Sequence, residues 1–120
     1  MAEQLRIVSE NSWINQGIAL VGNKNFGFPQ PYGNKFLTAE VDGEISPDDF
    51  SHELHLCIVT EGGLEIISPC SHGGFGNIVS ACREFTGVEN VLRYTGGLHI
   101  VESEQVADEV ASFLGIKSSL

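Results

Sequence analysis

The chain has 120 residues, with 6 Lys and Arg against 16 Asp and Glu, a formal net charge of −10. That length sets one domain, able to bury roughly two thirds of its unfolded surface. The charge repels nucleic-acid phosphates and anionic lipid, so both are excluded as partners. Residues 1–10 lack the basic start and apolar stretch of a secretory leader, and no apolar run approaches the ~18 residues of a membrane span. The three cysteines, Cys57, Cys70 and Cys82, are odd in number and show no Cys-x-x-Cys spacing. A reduced, cytoplasmic setting follows as the expectation.

In chain order, residues 5–9 and 13–21 are mixed apolar segments that predict strands, with Trp13 as a core anchor. Residues 22–35 form a loop punctuated by Gly22, Gly27, Pro29, Pro31 and Gly33. Its aromatics Phe26, Phe28 and Tyr32 suit a lid folded over the core, or a cover over a partner surface or substrate. Residues 36–41 predict a short strand, and residues 42–51 an acidic, turn-rich stretch in which Asp48 and Asp49 read as turn residues. Residues 54–60, the Glu61-Gly62-Gly63 turn and residues 64–68 predict a β-hairpin.

Residues 77–86 predict a helix: Ile78, Ala81, Cys82 and Phe85 recur at helical spacing, Asn77 is the N-cap candidate and Gly87 the C-cap. Residues 91–95 predict a strand. Ser103 caps a second helix with a stripe of Val106, Ala107, Val110, Ala111 and Leu114. From residue 54 the order is therefore β, β, α, β, α, and its strand-helix-strand piece predicts a right-handed parallel crossover.

Two histidines directly follow strands of that crossover unit. His72 stands in Ser68-Pro69-Cys70-Ser71-His72-Gly73-Gly74, and His99 ends Gly96-Gly97-Leu98-His99. In a parallel β-α-β unit both strands end on one sheet edge, where ligands collect. Neighbouring strands lie about 4.8 Å apart, so two imidazoles there can reach a shared metal centre. Two histidines are half a set, since zinc takes three or four protein ligands. Among the remaining candidates, Cys57 and Cys82 read as core thiols, and Cys70 stands beside the candidate ligand His72. His52 and His55 share a His-x-x-His spacing that on a strand points to opposite faces, a poor chelate. His55, between Leu54 and Leu56, is expected on the solvated face.

Asp48-Asp49-Phe50-Ser51-His52-Glu53, the hairpin, Cys70-Ser71-His72-Gly73-Gly74-x-x-Asn77-Ile78 and Gly96-Gly97-Leu98-His99, in that order, resemble the metallo-β-lactamase superfamily, in its dihydropterin-synthase-like branch. The resemblance covers residues 42 to about 114 and matches the second half of a domain built from two similar halves. It implies an α/β fold with a mixed sheet, about half of an αββα sandwich, preceded by N-terminal strands and the aromatic loop over residues 1–41. It implies a metal-dependent hydrolase, with His72 and His99 as metal ligands and Cys70 beside them. His52, Asp49, Ser71, Gly73, Gly74 and Gly97 are expected to line the site. Zinc, iron or manganese is the implied cofactor. Three departures stand out: the superfamily's His-x-His-x-Asp-His motif is missing, the branch's later His-Cys-Thr-Gly element is missing, and Pro69 replaces a usual glycine.

The missing half implies a homodimer, or a second chain, to complete the ligands and cover the sheet. The alternative is a non-catalytic structural or protein-interaction domain descended from that family.

Overall fold

A computed structural model of the chain describes residue 5 and residues 7–98. The predicted second helix and His99 lie outside the described residues. A five-stranded sheet dominates, built from β1 (Ser12–Asn15), β2 (Ile18–Gly22), β5 (Leu54–Thr60), β6 (Gly63–Ile67) and β7 (Val91–Thr95), in the order β1-β2-β5-β6-β7. A second, two-stranded sheet pairs β3 (Thr38–Val41) with β4 (Glu44–Pro47).

The central hairpin forms as predicted. Cys57 pairs with Ile66 and Thr60 with Gly63 across antiparallel β5 and β6, and β7 then joins β6 in parallel. Between them runs one helix, α1 (Phe75–Thr86). Its apolar face is Ile78, Val79, Ala81 and Cys82, and it packs on a core of Ala19, Val21, Cys57, Leu64 and Ile66. Gly87 closes the helix in the left-handed conformation, φ 76°, with its N–H bonded to the Arg83 carbonyl.

Several elements differ from the sequence expectation. Residue 5 and residues 7–9 stay out of the sheet. The single strand expected over 13–21 is a hairpin, because Gln16 and Gly17 turn the chain and β1 folds back on β2. The acidic stretch over 42–51 also holds a strand: Asp42 and Gly43, at φ 53° and 81°, supply the paired positive angles of a tight hairpin turn and return the chain as β4. Asn77 does not cap α1. The helix begins two residues earlier, after Gly74, and Asn77 turns its carboxamide inward.

Trp13 is not a core anchor. It sits on the edge strand, 43% exposed, tilted against Phe85 at 5.6 Å. The aromatic loop divides: Phe26 packs against the core as a lid does, whereas Tyr32 is exposed and stacks edge-on with Phe36.

The face of the sheet turned away from α1 is apolar over β2, β5 and the end of β6. Its register aligns Leu20, Leu56 and Ile67 in one row; in the other, Ile18 and Ile58 are followed by the charged pair Glu65 and Arg93. Ile67 is 41% exposed and the other apolar residues are half-buried. Among the described residues no helix is long and apolar enough to cross a membrane.

Candidate functional site

β6 and β7 run parallel and end together, Ile67 beside Thr95. Their pairing continues beyond the strands: the Ser68 N–H donates to the Thr95 carbonyl and the Gly97 N–H to the Pro69 carbonyl, each at 2.9 Å. That approach requires Gly96, at φ 141°, since any side chain there would overlap the Ser68 carbonyl. The Gly96-Gly97 turn and the Cys70-Ser71-His72 loop thus lie side by side on one edge, as the sequence pattern implied. His99 follows two residues after Gly97, outside the described residues.

The loop after β6 is held from below by Glu53. Its Oε2 accepts the His72 N–H and its Oε1 accepts the Gly73 N–H, both at 3.0 Å. Asn23 donates a third hydrogen bond from Nδ2 to Oε1 at 3.1 Å. Burial alone would raise the Glu53 carboxyl. The His72 and Gly73 amides, Asn23 and nearby His55 outweigh it and hold the group below its ordinary value.

His55 lies in the core rather than on the solvated face expected for it, with 0% of its surface exposed. Its strand points Cys57 and His55 to the same side, toward α1, so the alternation placed it correctly but assigned the wrong face. Its proton is fixed by its neighbours. Asn23 Nδ2 donates to Glu53 and to the Phe50 carbonyl, both acceptors only, so Asn23 Oδ1 faces His55 Nε2 at 2.6 Å and takes its N–H. Nδ1 then accepts from Ser68 Oγ at 2.7 Å, Ser68 from Ser71 Oγ at 3.3 Å, and Ser71 from Tyr94 at 2.6 Å. The hydrogen bonds run one way, from Tyr94 through two serines and His55 to Asn23 and Glu53. Burial holds His55 below its ordinary pKa, against the pull of Glu53, and keeps the ring neutral.

His72 is half-buried with its ring stacked on Phe50, centroids 4.2 Å apart and planes within 9°. Asn34, from a short 3₁₀ turn over Tyr32–Phe36, meets it twice: Nδ2 donates to the His72 carbonyl, and Oδ1 contacts His72 Nδ1 at 2.9 Å. Among the described residues, two of the three non-glycine residues with positive φ flank this histidine, Phe50 at 55° and Ser71 at 61°. Such conformations cost on the order of 1–3 kcal/mol each and persist where surrounding contacts enforce them, often at functional sites.

The other expected residues are distributed unevenly. Ser71, Gly73 and Gly74 belong to the loop itself, and Gly97 to the turn beside it. Cys70 is a free, half-buried thiol in the same loop. His52 points to solvent, its side chain 72% exposed, 3.9 Å from Asp48. Asp49 closes a local turn onto the Ser51 N–H, which lowers its carboxyl's pKa. Asp48 accepts the Phe50 N–H in a second local turn, so both are the turn residues expected. Cys57 and Cys82 are buried neighbours, and the hydrogen bond between them, with burial, raises the Cys82 thiol.

Asn23, Asn34, Glu53 and Asn77 escaped the sequence reading. Asn77 Oδ1 accepts the Phe26 and Phe28 N–H groups, while Nδ2 donates to the Phe28 and Gly73 carbonyls. It fastens the aromatic loop to the start of α1. Glu53 carried a signal, as the last residue of the Asp-Asp-Phe-Ser-His-Glu element, and so did Asn77, which stands in the Cys70-to-Ile78 element but was read as a helix cap.

A crystal structure of a metal-dependent hydrolase of the β-lactamase superfamily superposes with a TM-score of 0.78 at 26% identity, over 92% of this chain and 44% of that one. The fold is that of the metallo-β-lactamase superfamily. A curated relative, 7,8-dihydropterin-6-methyl-4-(beta-D-ribofuranosyl)-aminobenzene-5'-phosphate synthase of Methanocaldococcus jannaschii, is 32% identical over 80 residues, 63% of this chain and 27% of that protein. No family model matches. The chain thus spans under half the length of either similar protein, a partial metallo-β-lactamase fold with one mixed sheet and, among the described residues, one helix.

Donor chemistry tests whether this partial fold suits a metal. His72 does, as an imidazole braced through one nitrogen and one face, the support that ligating histidines receive. The set around it is incomplete: among the described residues no three His, Cys, Asp or Glu side chains gather as a metal site would require.

Proposed function

We propose that this chain is half of a metal-dependent hydrolase, with His72 and His99 as ligands, Cys70 at the margin of the site, and the remaining ligands supplied by a second copy or a second chain. The observation that carries the reading is the immobilised His72 at the shared end of β6 and β7, in the fold of a metal-dependent hydrolase. A divalent zinc, iron or manganese ion held there would supply a hydroxide nucleophile at neutral pH. The chain's own residues prepare the site: Glu53 fixes the loop backbone and Phe50 and Asn34 fix the ring. The apolar outer face of the sheet, with Leu20, Leu56 and Ile67 in a row, supports association through that face.

Metal analysis and light scattering on the full chain test this together. The expected result is a dimer, or a complex with a second chain, carrying a divalent metal that is lost in His72→Ala and His99→Ala. A clean monomer at high concentration that takes up no zinc, iron or manganese would refute it.

A second reading, a non-catalytic interaction domain, draws on one observation: the polar side chains beneath the loop are committed to one another. Metal binding that survives in neither wild type nor any reconstituted complex would favour it.

A further inference from the structure

The imidazole of His72 can carry its neutral-state proton on either nitrogen, and only one form presents Nε2 as a donor to a metal. Asn34 decides between them. Its Nδ2 lies 2.6 Å from the His72 carbonyl, an acceptor only, so the carboxamide has one orientation and Oδ1 is the atom turned to the ring. Oδ1 is 2.9 Å from Nδ1 and accepts but cannot donate. The proton therefore sits on Nδ1. A ring flip would put a C–H against Oδ1, and it would have to proceed within the Phe50 stack.

We propose that Asn34 is a positioning residue, which locks His72 as the Nδ1–H tautomer and thereby directs Nε2 to the metal. The inference rests on His72 being a ligand, as proposed above, but the lock is a property of the metal-free chain. It also gives the glycine- and proline-rich loop a role: the Pro31-to-Phe36 turn delivers one carboxamide to His72, 38 residues along the chain. His55 provides an internal reference. Asn23, by the same reasoning, locks it as the opposite, Nε2–H tautomer.

The test is long-range ¹H–¹⁵N correlation spectroscopy on the full-length, metal-free protein near pH 8, above the ordinary imidazole pKa of about 6.5. His72 should show a protonated Nδ1 and an unprotonated Nε2, and His55 the reverse. Asn34→Ala should abolish the His72 preference and leave His55 unchanged. Asn34→Asp, which keeps the acceptor, should restore the proton to Nδ1. In zinc titrations Asn34→Ala should weaken binding about 10–100-fold relative to wild type. A wild-type His72 protonated on Nε2, or an Asn34→Ala variant with unchanged His72 shifts or unchanged zinc affinity, overturns the proposal. An intact lock in a wild-type protein that binds no zinc confirms the tautomer assignment and refutes the metal reading instead.

Discussion

Replacing Glu53 by Gln removes one charge and one acceptor from the floor of the histidine loop while keeping the side chain's shape. The carboxylate accepts three hydrogen bonds, from the His72 and Gly73 amides and from Asn23. Glutamine's single oxygen can keep the Gly73 and Asn23 pair, which leaves an NH₂ group facing the His72 N–H, donor against donor. A buried hydrogen bond to a charged group contributes about 1.5–3 kcal/mol, and demoting the other two to neutral bonds costs roughly 0.5–1 kcal/mol each. Relief of the carboxylate's desolvation returns about 1 kcal/mol. The net loss is about 3 kcal/mol, which for a domain of this size lowers Tm by roughly 12 °C. Thermal unfolding followed by circular dichroism measures the change, and amide hydrogen exchange locates it: His72 and Gly73 should lose protection first. A Tm within about 2 °C of wild type, or unchanged exchange at those two amides, would refute the assignment of Glu53 as the anchor of the loop.

The pH dependence should share this origin. His55 and Glu53 are both held below their ordinary values of 6.5 and 4.5, so their contribution to stability is complete above those values and is lost as pH falls. Tm should be flat above neutrality, decline below about pH 6.5 and fall more steeply below about pH 4.5; a flat profile between pH 7 and 5 would contradict the buried neutral His55. Gly96→Ala should cost about 3 kcal/mol or more in denaturant titrations, because its methyl group meets the Ser68 backbone, whereas Gly87→Ala, at φ 76° with nothing within 4 Å, should cost only about 1 kcal/mol. Equal costs would show that backbone angle, not the approach of the two loops, governs both sites. Asn77→Ala removes the acceptor of two part-buried amides of the aromatic loop, Phe26 and Phe28, and should cost about 2 kcal/mol, with limited proteolysis opening within residues 23–31 before the rest of the chain; cleavage elsewhere first would exclude Asn77 as the fastener.

Local pattern carried the hairpin of β5 and β6, the helix stripe of α1 with its Gly87 cap, and β7, because each is set by residues within a few positions of one another. It also carried the Cys70-Ser71-His72 and Gly96-Gly97 turns to one edge, since a strand-helix-strand unit brings its strand ends together whatever its side chains. The turn at Gln16 and Gly17 and the strand after Gly43 were missed, being short hairpins whose apolar and polar residues do not alternate cleanly.

The sequence by itself determined a small acidic α/β domain of metallo-β-lactamase type and a histidine loop at the edge of its sheet. Only the tertiary structure decided what holds that loop. Glu53 meets the loop 19 residues on, Asn34 meets His72 from 38 residues away and Asn23 meets His55 from 32. An asparagine is an ordinary loop residue until folding sets both ends of its amide against fixed partners. His55 shows the same limit: alternation along β5 established that it opposes Leu54 and Leu56, but which face met α1 depended on the helix packing against β2 and β5. That packing buried the histidine and, through Asn23 and Ser68, placed its proton.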